Sequence, residues 1–439
     1  MNRAVFIIVF ALLFTFSAQA TKQPNIVLII SDDQAWTDYS FMGHKKIKTP
    51  NIDRLSQESR LFKRGYVPTS LCCPSLASII TGLYPHQNKI TGNEPPVPRG
   101  GKNSEHYKIQ VQECVSFIDN IPTLPRLLAQ KGYISHQSGK WWQGHYSRGG
   151  FTHGMTHGDP KRGGRHGDKG LKIGREGMKE IFDFIENRDG KPFFTWYAPF
   201  LPHTPHNPPK RLLNKYLQQT DSKFIARYWA MCEWFDETCG ELLDYLDTKN
   251  LTKDTIVIYV TDNGWIQSAD NGRYASRSKR SQYDGGLRTP IMVRWPGKIK
   301  PEERNELANS IDLAPTILKA CGLNPTENML GIDLLDDKAL RERKFTYGAC
   351  YLHNAVDIHT PTANLTYRWL IHGDWKIILP NKVNVTTRAK EKGTGTIELY
   401  NLTKDPFEKN NLAESKPVSY THLRAHETVL DLVCRLLLE

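Results

Sequence analysis

Two short apolar runs in this chain each end in oxygen-bearing side chains. Asn25-Ile26-Val27-Leu28-Ile29-Ile30 runs into Ser31-Asp32-Asp33, and Ile256-Val257-Ile258-Tyr259-Val260 runs into Thr261-Asp262-Asn263-Gly264. In open α/β sheets, sites form at the carboxyl ends of the strands. Three carboxylates and an amide gathered there would repel one another unless a hard divalent cation sat among them, and all-oxygen ligation favours calcium or magnesium over zinc. Taken singly, each acidic pair reads as a helix cap or a turn. A second locality is Cys72-Cys73-Pro74-Ser75-Leu76-Ala77-Ser78-Ile79-Ile80-Thr81-Gly82, an irregular turn continuing as a short helix with Pro74 near its start and Gly82 past its end. Backbone N–H groups and the helix dipole at such a start favour an anion, so the place suits a tetrahedral oxyanion such as sulfate or phosphate. Taken alone, Cys72 and Cys73 read as buried thiols.

The elements that must position these residues follow from the same patterns. Both apolar runs are β-branched and continuous, as in strands buried on two faces of a parallel sheet. Helical patterns lie between them: Pro50 to Phe62 with Thr49 as N-cap, Thr123 to Lys131 ending at Gly132, and Arg175 to Asn187 with Met178, Ile181, Phe184 and Ile185 on one face. Phe193 to Tyr197 reads as a further strand. The alternation predicts an α/β domain with a parallel or mixed sheet. From about Thr346 the texture changes to short strands, Tyr367 to His372 and Trp375 to Leu379, split by the hairpin signal Gly373-Asp374. The stretch Gly144 to Gly170, dense in Gly, His, Arg and Lys, reads as a surface loop near a site.

The chain has 439 residues, enough for about two or three domains. Arg3, the apolar run Ala4 to Phe16 and the small-residue site Ala18-Gln19-Ala20 form a secretory signal peptide, with Thr21 as the expected first mature residue. No later stretch is apolar enough to cross a bilayer, so stable membrane insertion is not expected. Net charge is +12, which by itself allows nucleic acid, anionic lipid or sulfated polysaccharide as partners. Eight scattered cysteines define no disulfide framework.

Cys72, Pro74, Ser75, Thr81 and Gly82 match the Cys-x-Pro-Ser-Arg…Thr-Gly signature of the type I sulfatases, which the chain resembles. The offset to Pro74 selects Cys72 over Cys73. Other segments that resemble the family run in order along the chain: Asp32-Asp33, Thr49 to Asp53, Gly139-Lys140-Trp141, Pro202 to Pro205, Asp262 to Gly264, Asp284 to Pro290, Asp312 to Thr316 and Leu399 to Leu402. The resemblance implies an alkaline-phosphatase-like mixed sheet flanked by helices, with a small antiparallel C-terminal domain. It implies a secreted or periplasmic hydrolase of sulfate esters on a carbohydrate, with no nucleic-acid partner. It further implies that a formylglycine-generating or sulfatase-maturating enzyme oxidises Cys72 to formylglycine, the nucleophile. Asp32, Asp33, Asp262 and Asn263 match the calcium ligands, with modified Cys72 completing the sphere. Lys140 and Lys279 match the lysines that hold sulfate, and His203 the histidine near the leaving oxygen. Two departures stand out: Leu76 replaces the signature arginine and Trp142 the histidine that often follows Lys-Trp, with Arg64, Arg280 or His145 as possible substitutes. Trp142 and Trp265 are candidate sugar platforms.

The expected organisation is a leader at 1–20, a catalytic domain at 21–345, an antiparallel domain at 346–416 and a tail at 417–439 that resembles translated adapter sequence rather than a native closing helix. Alternative readings are a phosphodiesterase or phosphonate hydrolase of the same superfamily, whose substrate would fit the same cradle, and a non-catalytic binder of sulfated glycans.

Overall fold

The computed structural model describes residues 23–159, 166–381 and 394–416; the expected leader at 1–20 and the expected tail from 417 lie outside them. Among the described residues nine strands form one sheet: β1 (Asn25–Ser31), β2 (Arg60–Tyr66), β3 (Ile134–Gly139), β4 (His153–Gly154), β5 (Phe193–Ala198), β6 (Thr255–Thr261), β7 (Arg288–Arg294), β8 (Glu302–Arg304) and β9 (Ala308–Asn309). Their order is β4-β3-β5-β1-β6-β7-β2-β8, with β9 also on β2. Only β7 runs against its neighbours, β6 and β2; the other pairings are parallel. The sheet is therefore mixed, as the alternation predicts.

β1 is central and wholly buried, and its pleat sends successive side chains to opposite faces. Ile26, Leu28 and Ile30 join a core that includes Ile79, Ile80, Leu313 and Ile317. Val27 and Ile29 join the opposite core with Ile181, Ile185, Leu242 and Leu243. Helices thus cover both faces, which explains why the run carries no polar alternation.

The helix expected over Pro50 to Phe62 is shorter. Helix α1 spans Pro50–Gln57, and Leu61 and Phe62 belong to β2, paired with Met292 and Ile291 of β7. Thr49 stands at the N-cap but its hydroxyl bonds Asp53; the N–H groups of Asn51 and Ile52 donate instead to Asp236 (3.2 and 2.8 Å) on the helix Lys223–Thr248. The helix expected at 123–131 spans Leu124–Ala129, and that at 175–187 spans Lys179–Glu186.

A second, antiparallel sheet holds β10 (Phe345–Tyr351), β11 (Leu365–His372), β12 (Trp375–Pro380) and β13 (Glu398–Asn401) in that order. The hairpin forms at Gly373-Asp374, closed by the pair His372↔Trp375. This sheet packs through Trp369, Ile371, Ile378 and Tyr400 onto Tyr66, Tyr283 and Leu287. Inside that junction Lys376, fully buried, lies 2.8 Å from both Asp284 and Glu408. Removing one member of such a cluster leaves uncompensated buried charge. Lys376→Met is expected to lower stability by about 3–5 kcal/mol, read as a shift in denaturant midpoint. Burial raises the Glu408 carboxyl to about 7, against the pull of Lys376. A carboxyl raised in the folded state binds its proton more tightly there, so its contribution is full below the ordinary value of 4.5 and is lost as pH rises through 7. Glu408→Gln should flatten that part of the stability–pH curve.

No helix among the described residues is long and apolar enough to cross a membrane.

Candidate active site

β1 and β6 lie side by side in parallel register, Ser31 opposite Thr261, so their acidic extensions leave the sheet at the same edge. Asp32, Asp33, Asp262 and Cys72 each offer a ligand atom, and these atoms all lie within 4.8 Å of one another; all four residues are buried. Asp33 adopts φ 65°, a left-handed conformation that costs a non-glycine residue energy and is met at functional sites. Its N–H donates to Asp262 Oδ1 (3.1 Å), which also accepts from the Asn263 N–H (2.6 Å). Asn263 Nδ2 donates to Asp33 Oδ1 (2.7 Å), which fixes the amide and turns Oδ1 away. Gly264 permits the crowding: a Cβ there would fall 2.2 Å from the Gly285 carbonyl oxygen.

Two lysines close on this cluster. Lys140 follows β3, where Gly139 (φ 84°) passes too close to the Ala198 carbonyl for any side chain. Its ammonium lies 2.6 Å from Asp32 Oδ1 and 3.8 Å from Asp262 Oδ2. Lys279 donates to both oxygens of Asp33 (2.6 and 2.7 Å). Burial pushes the Asp32 and Asp262 carboxyls up. At Asp33 burial acts the same way, but Lys279, His203 and Lys140 together outweigh it and hold the carboxyl down at about 2. For the lysines burial lowers the pKa and the facing carboxylates more than reverse it, so both stay charged.

Cys72 begins helix α2 (Cys72–Thr81), all ten residues of which are buried. Burial pushes its thiol up to about 11, so the unmodified side chain is a protonated, weak nucleophile at neutral pH. Cys73 lies in the core beside Gln143, whose Nε2 is 3.5 Å from its sulfur. Its N–H, a first-turn donor of the helix, donates to Asn93 Oδ1 (3.0 Å). His203 places Nε2 3.3 Å from Asp33 Oδ2, while Nδ1–H donates to the Thr204 carbonyl (2.6 Å) and the ring stacks on Phe200. Burial lowers its pKa to about 4, against Asp32 and Asp33.

Cys72, Lys140, Lys279 and His203 line a cleft of about 310 Å³ with Trp142, Trp265, Arg280, Asn93, Glu94 and His353 around it. Leu76 is buried in the core. Of the three side chains considered as substitutes for the arginine, Arg280 lines the cleft. Arg64 is tied to the Gly373 carbonyl of the hairpin, and half-buried His145 bonds Ser147. None of the histidines of the 144–170 loop joins the ligand cluster among the described residues, but His166 lines the cleft against Trp142. Among the described residues no disulfide forms. Asn93 and His353 carried no signal in the sequence: each is a single polar residue, brought in by the pairing of segment 92–94 with 353–355, where Asn93 N–H donates to the His353 carbonyl (2.9 Å).

The donor set can be tested for a metal. Asp32 Oδ2, Asp262 Oδ2 and Asn263 Oδ1 are buried and accept no hydrogen bond, an expensive state for oxygens with free lone pairs. The carboxylate oxygens gathered in this way fit a hard cation of the calcium type, while the Asn263 amide turns its nitrogen rather than its oxygen to Asp33.

Comparison with known proteins agrees with this geometry. The Sulfatase family model matches residues 24–323, and the model described as N-sulphoglucosamine sulphohydrolase, C-terminal, matches 272–433. N-acetylgalactosamine-6-sulfatase of Rattus norvegicus is 27% identical over 90% of this chain and 82% of its own length. An ulvan-active sulfatase of Formosa agariphila is 26% identical over 91% of this chain and 78% of its own. A solved structure of a protein with its substrate D-glucosamine-2-N,6-O-disulfate shares the fold, with TM-score 0.72 and 20% identity over 94% of this chain and 98% of that one. With the family model covering most of the chain, the protein belongs to the type I sulfatase family, the sulfuric ester hydrolases.

Proposed function

We propose that the chain hydrolyses sulfate esters on a sulfated carbohydrate, with Cys72 converted to formylglycine by a maturation enzyme and one calcium ion held by Asp32, Asp33, Asp262, Asn263 and the converted side chain. The observation that carries this reading is the convergence of the Cys72 side chain with three buried carboxylates at one sheet edge. The ion supplies, when bound, positive charge against the sulfate oxygens. The converted side chain supplies the nucleophile that a thiol with its proton held by burial does not.

The chain's own residues do the rest. Lys140 and Lys279 remain charged in a buried cleft and can neutralise the charge that develops on the sulfate oxygens, where low dielectric strengthens each contact. Both are anchored on carboxylates, so little reorganisation is needed. Lys279, charged and lining the cleft, can hand a proton to the departing alkoxide, while His203, neutral with its proton on Nδ1, presents Nε2 beside it as an acceptor that can orient and relay that proton. Trp142 and Trp265 line the cleft and offer apolar faces to a sugar ring. The similarity to an N-acetylgalactosamine-6-sulfatase and to an ulvan-active sulfatase supports a carbohydrate.

The test is sulfate release by the matured protein from a panel of sulfated saccharides, run beside a phosphodiester and a phosphonate ester. The expected result is a kcat/KM on at least one sulfated sugar that exceeds both phosphorus esters by about 100-fold or more. A preference for a phosphorus ester would move the chain to the phosphonate hydrolase reading. Tight binding of sulfated glycan without turnover would make it a binding protein.

A further inference from the structure

Arg280 stands in the cleft without an acidic partner among the described residues. Lys140 is held by Asp32 and Lys279 by Asp33. Glu94, the other carboxylate lining the cleft, is held by the Tyr107 hydroxyl (2.5 Å) and faces Lys102 (3.8 Å). Among the described residues no carboxylate pairs with the Arg280 guanidinium. Its backbone is left-handed (φ 65°), as is that of Arg277 (φ 56°) on the other side of Lys279. A long side chain seldom takes that conformation, and it persists where the surroundings impose it. Here the Arg280 N–H donates to the Ser70 carbonyl (2.9 Å), two residues before Cys72. The turn thereby sends two consecutive cations, Lys279 and Arg280, to the same cleft.

The two cations differ in what holds them: Lys279 is paired with Asp33, and Arg280 has no carboxylate partner among the described residues. The charges acting most on the Cys72 thiol are those of Lys140, Lys279, Asp262 and Asp33. Arg280 lies near His353, whose imidazole is lowered first by burial, against its hydrogen bond to Asn354, and further by Arg280 and Lys279. His353 donates from Nδ1 to Asn354 Oδ1 (2.6 Å), which leaves Nε2 near Asn93 Nδ2 (3.4 Å), so it brings no positive charge of its own. Arg280 is thus a forked cation in the cleft with no carboxylate partner among the described residues, beside a neutral His353.

We infer that Arg280 is a specificity-determining residue that binds a second anionic group, carboxylate or sulfate, on the sugar whose sulfate ester is cut. The inference rests on the hydrolase reading for its substrate but not for its test. Full-length protein made in a host without maturation enzymes keeps Cys72 as a thiol, so binding can be measured by titration calorimetry without turnover. Three probes are compared: a monosulfated hexosamine, the same sugar with a second sulfate, and a monosulfated hexosamine joined to a uronate.

The expected result is that wild type binds one of the two doubly charged probes about 10- to 100-fold more tightly than the singly charged one. Which probe gains identifies the second anion as sulfate or carboxylate. Arg280→Asn, whose new residue tolerates the left-handed backbone, should abolish the preference and leave affinity for the monosulfated sugar within about threefold. Arg280→Lys should keep only part of it, having charge without the fork. No preference in wild type, or a preference that survives in Arg280→Asn, overturns the inference. Matured wild type assayed on a neutral aryl sulfate checks the hydrolase reading separately: failure there with the binding preference intact overturns that reading and leaves Arg280 in its role. Loss of aryl sulfate hydrolysis in matured Arg280→Asn would show that Arg280 serves the nucleophile in place of an arginine at Leu76, and would overturn the inference.

Discussion

Cys72→Ala should lower sulfate-ester hydrolysis by about 10⁴-fold or more, since removing a covalent nucleophile leaves only binding and charge stabilisation. The fold should survive. Cys72 is buried at the first position of α2, but its backbone remains, and the Cys73 N–H keeps its acceptor in Asn93. The cost is the loss of one small buried side-chain group, about 1 kcal/mol. Thermal unfolding close to wild type, with hydrolysis gone, is the expected pair of results. Cys73→Ala gives the contrast, because Cys73 packs in the core beside Gln143 and does not line the cleft. It should retain activity near wild type at a similar cost in stability.

The second large effect is on the metal. Asp262→Asn keeps an oxygen that can accept from the Asp33 and Asn263 N–H groups. It replaces a charged, unbonded oxygen by an amide nitrogen, a donor, at a place where ligand atoms converge. Cation affinity depends steeply on the number of charged oxygen ligands. Calcium affinity, measured by calorimetry on chelator-treated protein, should fall by about 100-fold or more, and hydrolysis should fall with it. Lys140 sits 3.8 Å from the altered oxygen and stays paired with Asp32, so the folded state should tolerate the change. Calcium binding equal to wild type would remove Asp262 from the ligand set.

What was legible in the sequence follows from how local each signal is. Ile26 to Ile30 and Ile256 to Val260 read as buried strands because both faces of the sheet are covered, and their polar ends announced a site edge. The hairpin at Gly373-Asp374 was legible for the same reason, a turn pair between two apolar runs. The helix Lys223–Thr248 was not recognised: it is buried on several sides, and Asp236, Thr238 and Cys239 among its buried residues blur the apolar stripe. Its start carried a signal that went unused, Ser222, whose hydroxyl accepts from the Ile225 N–H (3.3 Å). α1 was drawn too long because Leu61 and Phe62 continue its apolar spacing, whereas pairing with β7 claims them for β2. Asn93 and His353 meet across 260 positions of chain, so nothing local marks either. In the sequence Arg280 reads only as a stand-in for the arginine absent at Leu76; its place in the cleft beside His353, with no carboxylate partner among the described residues, is visible only in the fold.

The central claim is that Cys72 is converted and that the converted residue cuts sulfate esters. Peptide mass spectrometry of Cys72 in protein made with and without a maturation enzyme, with sulfate release measured on the same samples, tests it most directly. The expected result is that the thiol-to-aldehyde mass change appears at Cys72 and not at Cys73, only with the maturation enzyme, and that hydrolysis rises in proportion to the converted fraction. Full hydrolysis by protein whose Cys72 remains a thiol would contradict it.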